Sequence, residues 1–158
     1  MDFPRSGRFV FVVQWILALL LPVWIFLGRE LVGAQVGWMA VIGIVYGAFV
    51  ILFLLIPPLV SLFDRDVRRR RSERVAYSIA MGVAWIALFL AGLVIPDSGD
   101  SGRLDTALTV WTGGLIGYEA TETIFIVLVM IVFFALVAGL ALAIIGAGRA
   151  GRASAGSK

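Results

Sequence analysis

The sequence contains no cysteine and no histidine. The first absence rules out disulfides and thiol chemistry, and the two together remove the usual zinc ligands, leaving only oxygen donors for any metal. Lysine is almost missing as well, occurring once at Lys158, so that 12 of the 13 basic residues are arginine. The most informative scarcity is positional. Four long stretches, residues 9–27, 36–63, 75–95 and 123–147, hold no Asp, Glu, Lys, Arg or His. Ionisable groups at membrane depth are what mark proton relays and ion pathways. Their absence argues against an antiporter built on an intramembrane carboxylate, and against an intramembrane hydrolase or redox enzyme that needs His or Cys. The expectation is a non-enzymatic protein with no catalytic residues, no cofactor and no metal site.

What is present in excess is apolar surface. At 158 residues the chain has room for one domain, and its 61% hydrophobic content lies well above the ~45–50% of soluble domains. Mean hydropathy is +1.05. A formal charge of +3 invites a nucleic-acid reading, but the basic residues abut the apolar runs and do not line a solvated face, so anionic lipid headgroups are the expected partner and nucleic acid is not.

The stretch DRDVRRRRSER, residues 64–74, is the long polar interruption around which the chain is arranged. Its six arginines (Arg65, Arg68, Arg69, Arg70, Arg71, Arg74) stand between runs long enough to cross a bilayer. Such clusters resist translocation, which puts this hinge in the cytoplasm. With both termini on the same side, 11 basic residues lie inside and two, Arg29 and Arg103, outside. Trp24, Trp38 and Trp111 then fall at the outer interface. The predicted fold is an all-α integral membrane protein with four transmembrane helices in two hairpins, N- and C-termini cytoplasmic, in a plasma membrane of bacterial type. Small multidrug transporters share the span count but have a membrane-embedded glutamate that is missing from these runs.

Individual spans carry further detail. Residues 9–27 follow Arg5 and Arg8 as a signal peptide would, yet the run is 19 residues long and GREL, not a small-residue cleavage site, comes next. Gln14, Ala18 and Pro22 recur every four residues and share an inward face. Residues 36–63 would reach ~42 Å as one straight helix, beyond a ~30 Å core, and Pro57 and Pro58 are expected to bend its end. Candidate helix-packing residues form stripes of small side chains: Gly43 and Gly47 in a GxxxG pair, Ala80, Ala84, Ala87 and Ala91 in the third span, and Ala135, Gly139 and Ala143 in the fourth. Gln14, Tyr46 and Trp85 are polar groups at depth, read as a polar bundle contact in which Tyr46 meets Trp85 across the second and third helices.

The loop 96–122 is too long for a tight connection and too short to hold another span. Leu104, Leu108 and Trp111 share a helical face, which fits a short interfacial helix ended by Gly113 and Gly114, with a re-entrant segment as the alternative. Asp97, Asp100, Asp105, Glu119 and Glu122 read as solvated loop charge and helix capping, since their spacing does not match a calcium loop. In the hinge, Asp64 with Arg68 and Asp66 with Arg70 have the favourable i, i+4 order. The tail 148–158 is Gly/Ser/Ala-rich and reads as disordered.

Six hinge arginines are candidates for lipid-headgroup binding or docking, although topology alone accounts for such a cluster. Function is then expected at the level of class: an accessory or interaction subunit that binds another membrane protein or itself, with a small homo-oligomeric permease or channel as the alternative.

Overall fold

The computed structural model describes residues 5–155, with side chains up to residue 149. Four of its helices are long and apolar enough to cross a membrane. Helix α1 covers Gly7–Leu27 and runs into a 3-10 turn, Gly28–Val32. Helix α2 covers Trp38–Ser61, α3 is the short Arg65–Arg70 segment, and α4 covers Val75–Val94. A two-stranded antiparallel hairpin follows, β1 Asp97–Gly99 and β2 Gly102–Leu104, with Asp97 opposite Leu104. Helix α5 is Ala107–Trp111, and α6 runs from Tyr118 to Ala155.

Helix α1 lies between α2 and α4, and α6 lies between α4 and α2, which puts α2 and α4 on the diagonal of the bundle. Helix α4 is the most enclosed: 44% of its most apolar stretch is buried inside the protein, against 11% for α2 and for α6. The last two therefore face outward, with Ile44, Phe53, Phe133 and Phe134 all exposed. In water such surface would drive aggregation, and in lipid tails it costs nothing.

Small residues decide how closely the helices approach. A Cβ on Gly43 would overlap the ring of Phe26, and Gly47 borders the same ring, so the GxxxG pair of α2 is the seat for one aromatic side chain of α1. A Cβ on Gly92 of α4 would overlap the indole of Trp24. That indole stacks on Phe89 at 4.9 Å and donates from Nε1 to the Phe89 carbonyl at 2.9 Å. Ala84, Ala87 and Ala91 are buried in α4, and Gly139 of α6 faces the Met81 sulfur. Ala143 is buried with Met81 and Tyr77, while Ala80 and Ala135 are only partly covered.

Helices α2 and α6 differ most from the runs read in the sequence, while α1 starts two residues early and α4 ends one residue early. Helix α2 is shorter than the run 36–63, because Gly37 ends the extended approach and caps the helix, and Phe63 falls in the turn after Ser61. Pro57 and Pro58 sit inside α2, four and three residues before its last. Helix α6 is longer than 123–147 at both ends. It starts at Tyr118, which brings Glu119 into its first turn where the helix dipole favours an acid. At the far end it continues into the stretch read as a disordered tail, of which 156–158 lie outside the described residues.

Replacing Gly43 by Val forces a branched side chain against the Phe26 ring, an overpacking that costs ~1–3 kcal/mol. Gly82→Ala, at a position with nothing within 4 Å, serves as the control and leaves stability unchanged or slightly higher. Thermal unfolding in detergent checks the pair, and equal melting temperatures would show that the α1–α2 seat carries no strain.

Candidate functional site

The polar side chains of the bundle gather at its two ends. At one end, the 3-10 turn after α1 turns Arg29 inward beneath the β-hairpin. Its Nη1 lies 2.7 Å from Asp97 Oδ2, both side chains are 1% exposed, and Nη2 donates to the Asp105 carbonyl at 3.1 Å. The same carboxylate accepts from the backbone N–H groups of Gly37 (2.8 Å), Met39 (3.0 Å) and Ser98 (2.7 Å). Asp97 thus neutralises a buried cation and caps the start of α2, satisfying donors that a helix N-terminus leaves open. Gly37 is required for the approach, because a Cβ there would overlap Ser98 O and crowd the Asp97 carboxylate. Arg29 Nε is buried without a hydrogen-bond partner.

This corrects the reading of Arg29 and Asp97 as outer loop charges. They form a buried ion pair 68 positions apart in sequence. Asp100, Asp105 and Glu119 are exposed, as solvated loop charge would be, and Glu122 is exposed on α6. Arg103 covers the Tyr118 ring at 4.8 Å. A short helix of this loop forms, but without Leu104, which lies in β2 and so shares no helical face with Leu108 and Trp111: Thr106 caps α5 by accepting from Thr109 N–H, and Gly113 and Gly114 end it with φ of 59° and 87°. Trp111 donates its indole N–H to the Val32 carbonyl at 3.0 Å, tying α5 to the connection between α1 and α2.

At the other end, the start of α1, the end of α2, the hinge and the start of α4 converge. Gln14 Nε2 donates to Glu73 Oε1 at 3.1 Å, and Tyr77 O–H donates to Gln14 Oε1 at 3.0 Å. Ser61 Oγ lies 2.8 Å from Glu73 Oε1 and 2.8 Å from the Pro58 carbonyl. The Glu73 N–H donates to the Gly7 carbonyl at 3.0 Å. Glu73 is 1% exposed. Burial raises its pKa above the ordinary glutamate value; the Ser61 and Gln14 hydrogen bonds and the Arg74 charge oppose that shift only in part, and the Asp64 charge adds to it.

Next to it, Asp64 caps α3 by accepting from Asp66 N–H and pairs with Arg74, Nε at 2.9 Å and Nη2 at 2.8 Å. The carboxylate expected to pair with Arg68 is taken by Arg74 instead. Arg65, Arg68, Arg69, Arg70 and Arg71 are exposed, so the six candidate arginines divide into five on the surface and one, Arg74, that is half-buried and structural.

The predicted polar contact is only partly present. Gln14, Ala18 and Pro22 share the buried face expected of them. Tyr46 does not meet Trp85: it is 59% exposed beside Phe49, and the diagonal placement of α2 and α4 keeps the two helices apart. Trp85 packs between the two apolar clusters of the core. The partners of Gln14 are Tyr77 and Glu73, neither of which the spacing of Gln14 singles out.

Between α2 and α6 the bundle opens sideways into an apolar groove of about 510 Å³, lined by Met39, Tyr46, Phe53, Phe125, Val129 and Phe133 among others. A second, shallower groove of about 500 Å³ on the α4–α6 side is bordered by Ala80, Met130, Phe134 and Ala135. Among the described residues no three acidic, His or Cys groups converge as a metal ion would require. Comparison with protein-family models, with curated proteins and with solved structures finds no match for this chain.

Arg29→Leu leaves Asp97 buried and unpaired and is expected to cost ~3–5 kcal/mol. The double change Arg29→Leu with Asp97→Asn removes both charges while keeping an acceptor for the α2 cap, and should recover a large part of that loss. A double-mutant cycle on melting temperature in detergent checks this, and strictly additive losses would dissolve the pair. Stability should also depend on pH through Glu73. Because its folded-state pKa is raised, this contribution is complete below the ordinary glutamate pKa and is lost as pH rises through the folded value. Glu73→Gln flattens that part of the stability profile, as chemical denaturation at a series of pH values would show.

Proposed function

We propose that the protein is a multi-pass accessory subunit of a bacterial-type plasma membrane, acting by docking on another membrane protein and not by catalysis or transport. Both termini and the arginine end face the cytoplasm on this reading, and the β-hairpin end faces outward, in line with the excess of basic residues at one end of the bundle. The observation that carries the reading is the sideways opening of the bundle along α6. Grooves of about 510 and 500 Å³ flank that helix, and both are lined by apolar side chains at the depth of the spans. Such a surface offers close packing to a partner helix, which is the main source of helix association where lipid supplies no hydrophobic drive.

The alternative, a small homo-oligomeric permease or channel, draws its support from small-residue seams that two copies could share. Most of those seams are already occupied within one chain: Gly43 and Gly47 by Phe26, Gly139 by Met81, and Ala84, Ala87 and Ala91 by the core. The interior is apolar, and polar clusters fill both ends of the bundle, which does not favour an aqueous path. The exposed hinge arginines Arg65, Arg68, Arg69, Arg70 and Arg71 suit anionic headgroups at the same surface, each worth ~1 kcal/mol near a charged leaflet.

Mild-detergent purification of the tagged chain from its native membrane, with a photo-crosslinking residue in place of Phe133, tests the reading. A stoichiometric membrane partner that crosslinks from Phe133, and fails to crosslink from Arg103 in the outer loop, is the expected result. A particle containing only copies of this chain would overturn it in favour of the permease, for which liposome flux is the next measurement.

A further inference from the structure

We propose that Glu73 is a proton-operated latch: its protonated carboxyl clamps the arginine-bearing hinge to α1, α2 and α4, and loss of that proton frees the hinge. The hydrogen count at Ser61 is the first ground. Ser61 Oγ is 2.8 Å from both the Pro58 carbonyl and Glu73 Oε1, yet a hydroxyl has one hydrogen. If Ser61 donates to Pro58, the contact with Glu73 is closed only by a hydrogen on the carboxyl. A protonated Glu73 satisfies both contacts, whereas an ionised one leaves two acceptor oxygens facing each other at one of them.

The second ground is the charge inventory around the carboxyl. From α1 it meets Gln14, from the end of α2 Ser61, and from α4 Tyr77, none of them a cation. From the hinge it faces Asp64 and Arg74, but Arg74 is engaged by Asp64 at 2.8 Å and reaches Asp66 at 3.6 Å. Among the described residues, α6 contributes Leu142, Ala143 and Gly146 to this corner. An ionised Glu73 would therefore be a buried charge with two neutral donors, beside a second carboxylate and with the Arg74 charge shared with Asp64, and such a charge is costly. A void of about 10 Å³ bordered by Ser61, Asp64, Glu73, Arg74 and Tyr77 is about one water in size, giving the proton an acceptor on its way to solvent.

The third ground is where Glu73 sits. Its N–H holds the first turn of α1 through the Gly7 carbonyl, and two positions earlier Arg71 has φ of 49°, a left-handed conformation that residues other than glycine rarely adopt. That conformation closes α3, where the Arg71 and Ser72 N–H groups both donate to the Val67 carbonyl, so the turn between α3 and α4 is a formed cap that the contacts of Glu73 join to α1. When the carboxyl gives its proton to water, the side chain gains by turning to solvent, residues 71–74 detach from α1, and the exposed arginines of α3 are re-aimed.

Because the chain lacks native cysteine, spin labels can be placed cleanly at Ser6→Cys and Arg69→Cys, both exposed, in the full chain reconstituted in neutral-lipid nanodiscs. Pulsed electron resonance is then read from about pH 5 to about pH 9, a range that lies above the ordinary glutamate pKa. The expected result is one narrow distance in acid that broadens as pH rises, with Glu73→Gln narrow throughout. A wild-type distance that ignores pH, or an identical response in Glu73→Gln, would overturn the latch. Should Glu73→Gln fail to fold, carbodiimide labelling of the wild type decides the matter. Modification of Glu73 that falls off at the same midpoint as the distance change supports the latch, and none at any pH removes it.

Discussion

The Asp97 carboxylate is the point on which the bundle depends. One oxygen takes the Arg29 guanidinium at the end of α1 and the N–H of Gly37, and the other takes the N–H groups of Met39 and Ser98. Two stretches distant in sequence are thereby fixed to each other: the connection from α1 to α2 and the hairpin that follows α4. A helix that starts in or near a membrane cannot rely on water for its first N–H groups. Here the donor problem and the charge problem are solved by the same group, and neither solution stands alone. Without Arg29 the carboxylate is an unpaired buried charge; without Asp97 the α2 terminus and Arg29 both lose their partner.

The opposite end uses similar residues to a different effect. Asp64 and Arg74 form a pair of opposite charge, with Asp64 also capping α3, and this pair closes on Gly146 of α6. Glu73 beside it is hydrogen-bonded by the neutral groups Ser61 and Gln14 and feels both charges of that pair. One end is therefore balanced charge against charge, and the other adds a buried carboxyl beside such a pair. The asymmetry follows from chain geometry: Arg74 is the single hinge arginine that turns back into the bundle, and it is spent on Asp64, while the five before it point outward.

How much of this was legible in the sequence follows from the range of each interaction. The four spans depend on local composition, so hydropathy alone locates them, and the inward face of α1 could be read from Gln14, Ala18 and Pro22 because helical periodicity is local too. The short helix ended by Gly113 and Gly114 was visible for the same reason. Pairings were not. Arg29 and Asp97 each stand just beyond an apolar run, where a charge ordinarily meets water, and nothing in their neighbours announces that the chain folds them together. The expected contact of Tyr46 with Trp85 fails because the order of helices around the bundle is a tertiary property: equal depth suggests the pair until α2 is known to lie diagonal to α4. The reach of α6 past residue 147 was missed because Gly and Ser in the tail weaken helix propensity without forbidding helix.

The distribution of polarity also bears on what such a bundle is for. Along the spans, helix association rests on shape, with Phe26 in the Gly43 seat and Trp24 over Gly92, and shape complementarity is specific but carries no charge to move. Ionisable groups are confined to the ends, where they hold the helix termini in place. A transporter needs the reverse arrangement, with polar groups near the midplane and ends able to open in turn. A protein whose middle is apolar and whose ends are tied is suited to stay in one arrangement while presenting its outer helices, and α2 and α6, the least enclosed of the four, are the ones left to present. Any change of state then has to begin at an end, where the buried Glu73 carboxyl joins α1, the end of α2 and the hinge.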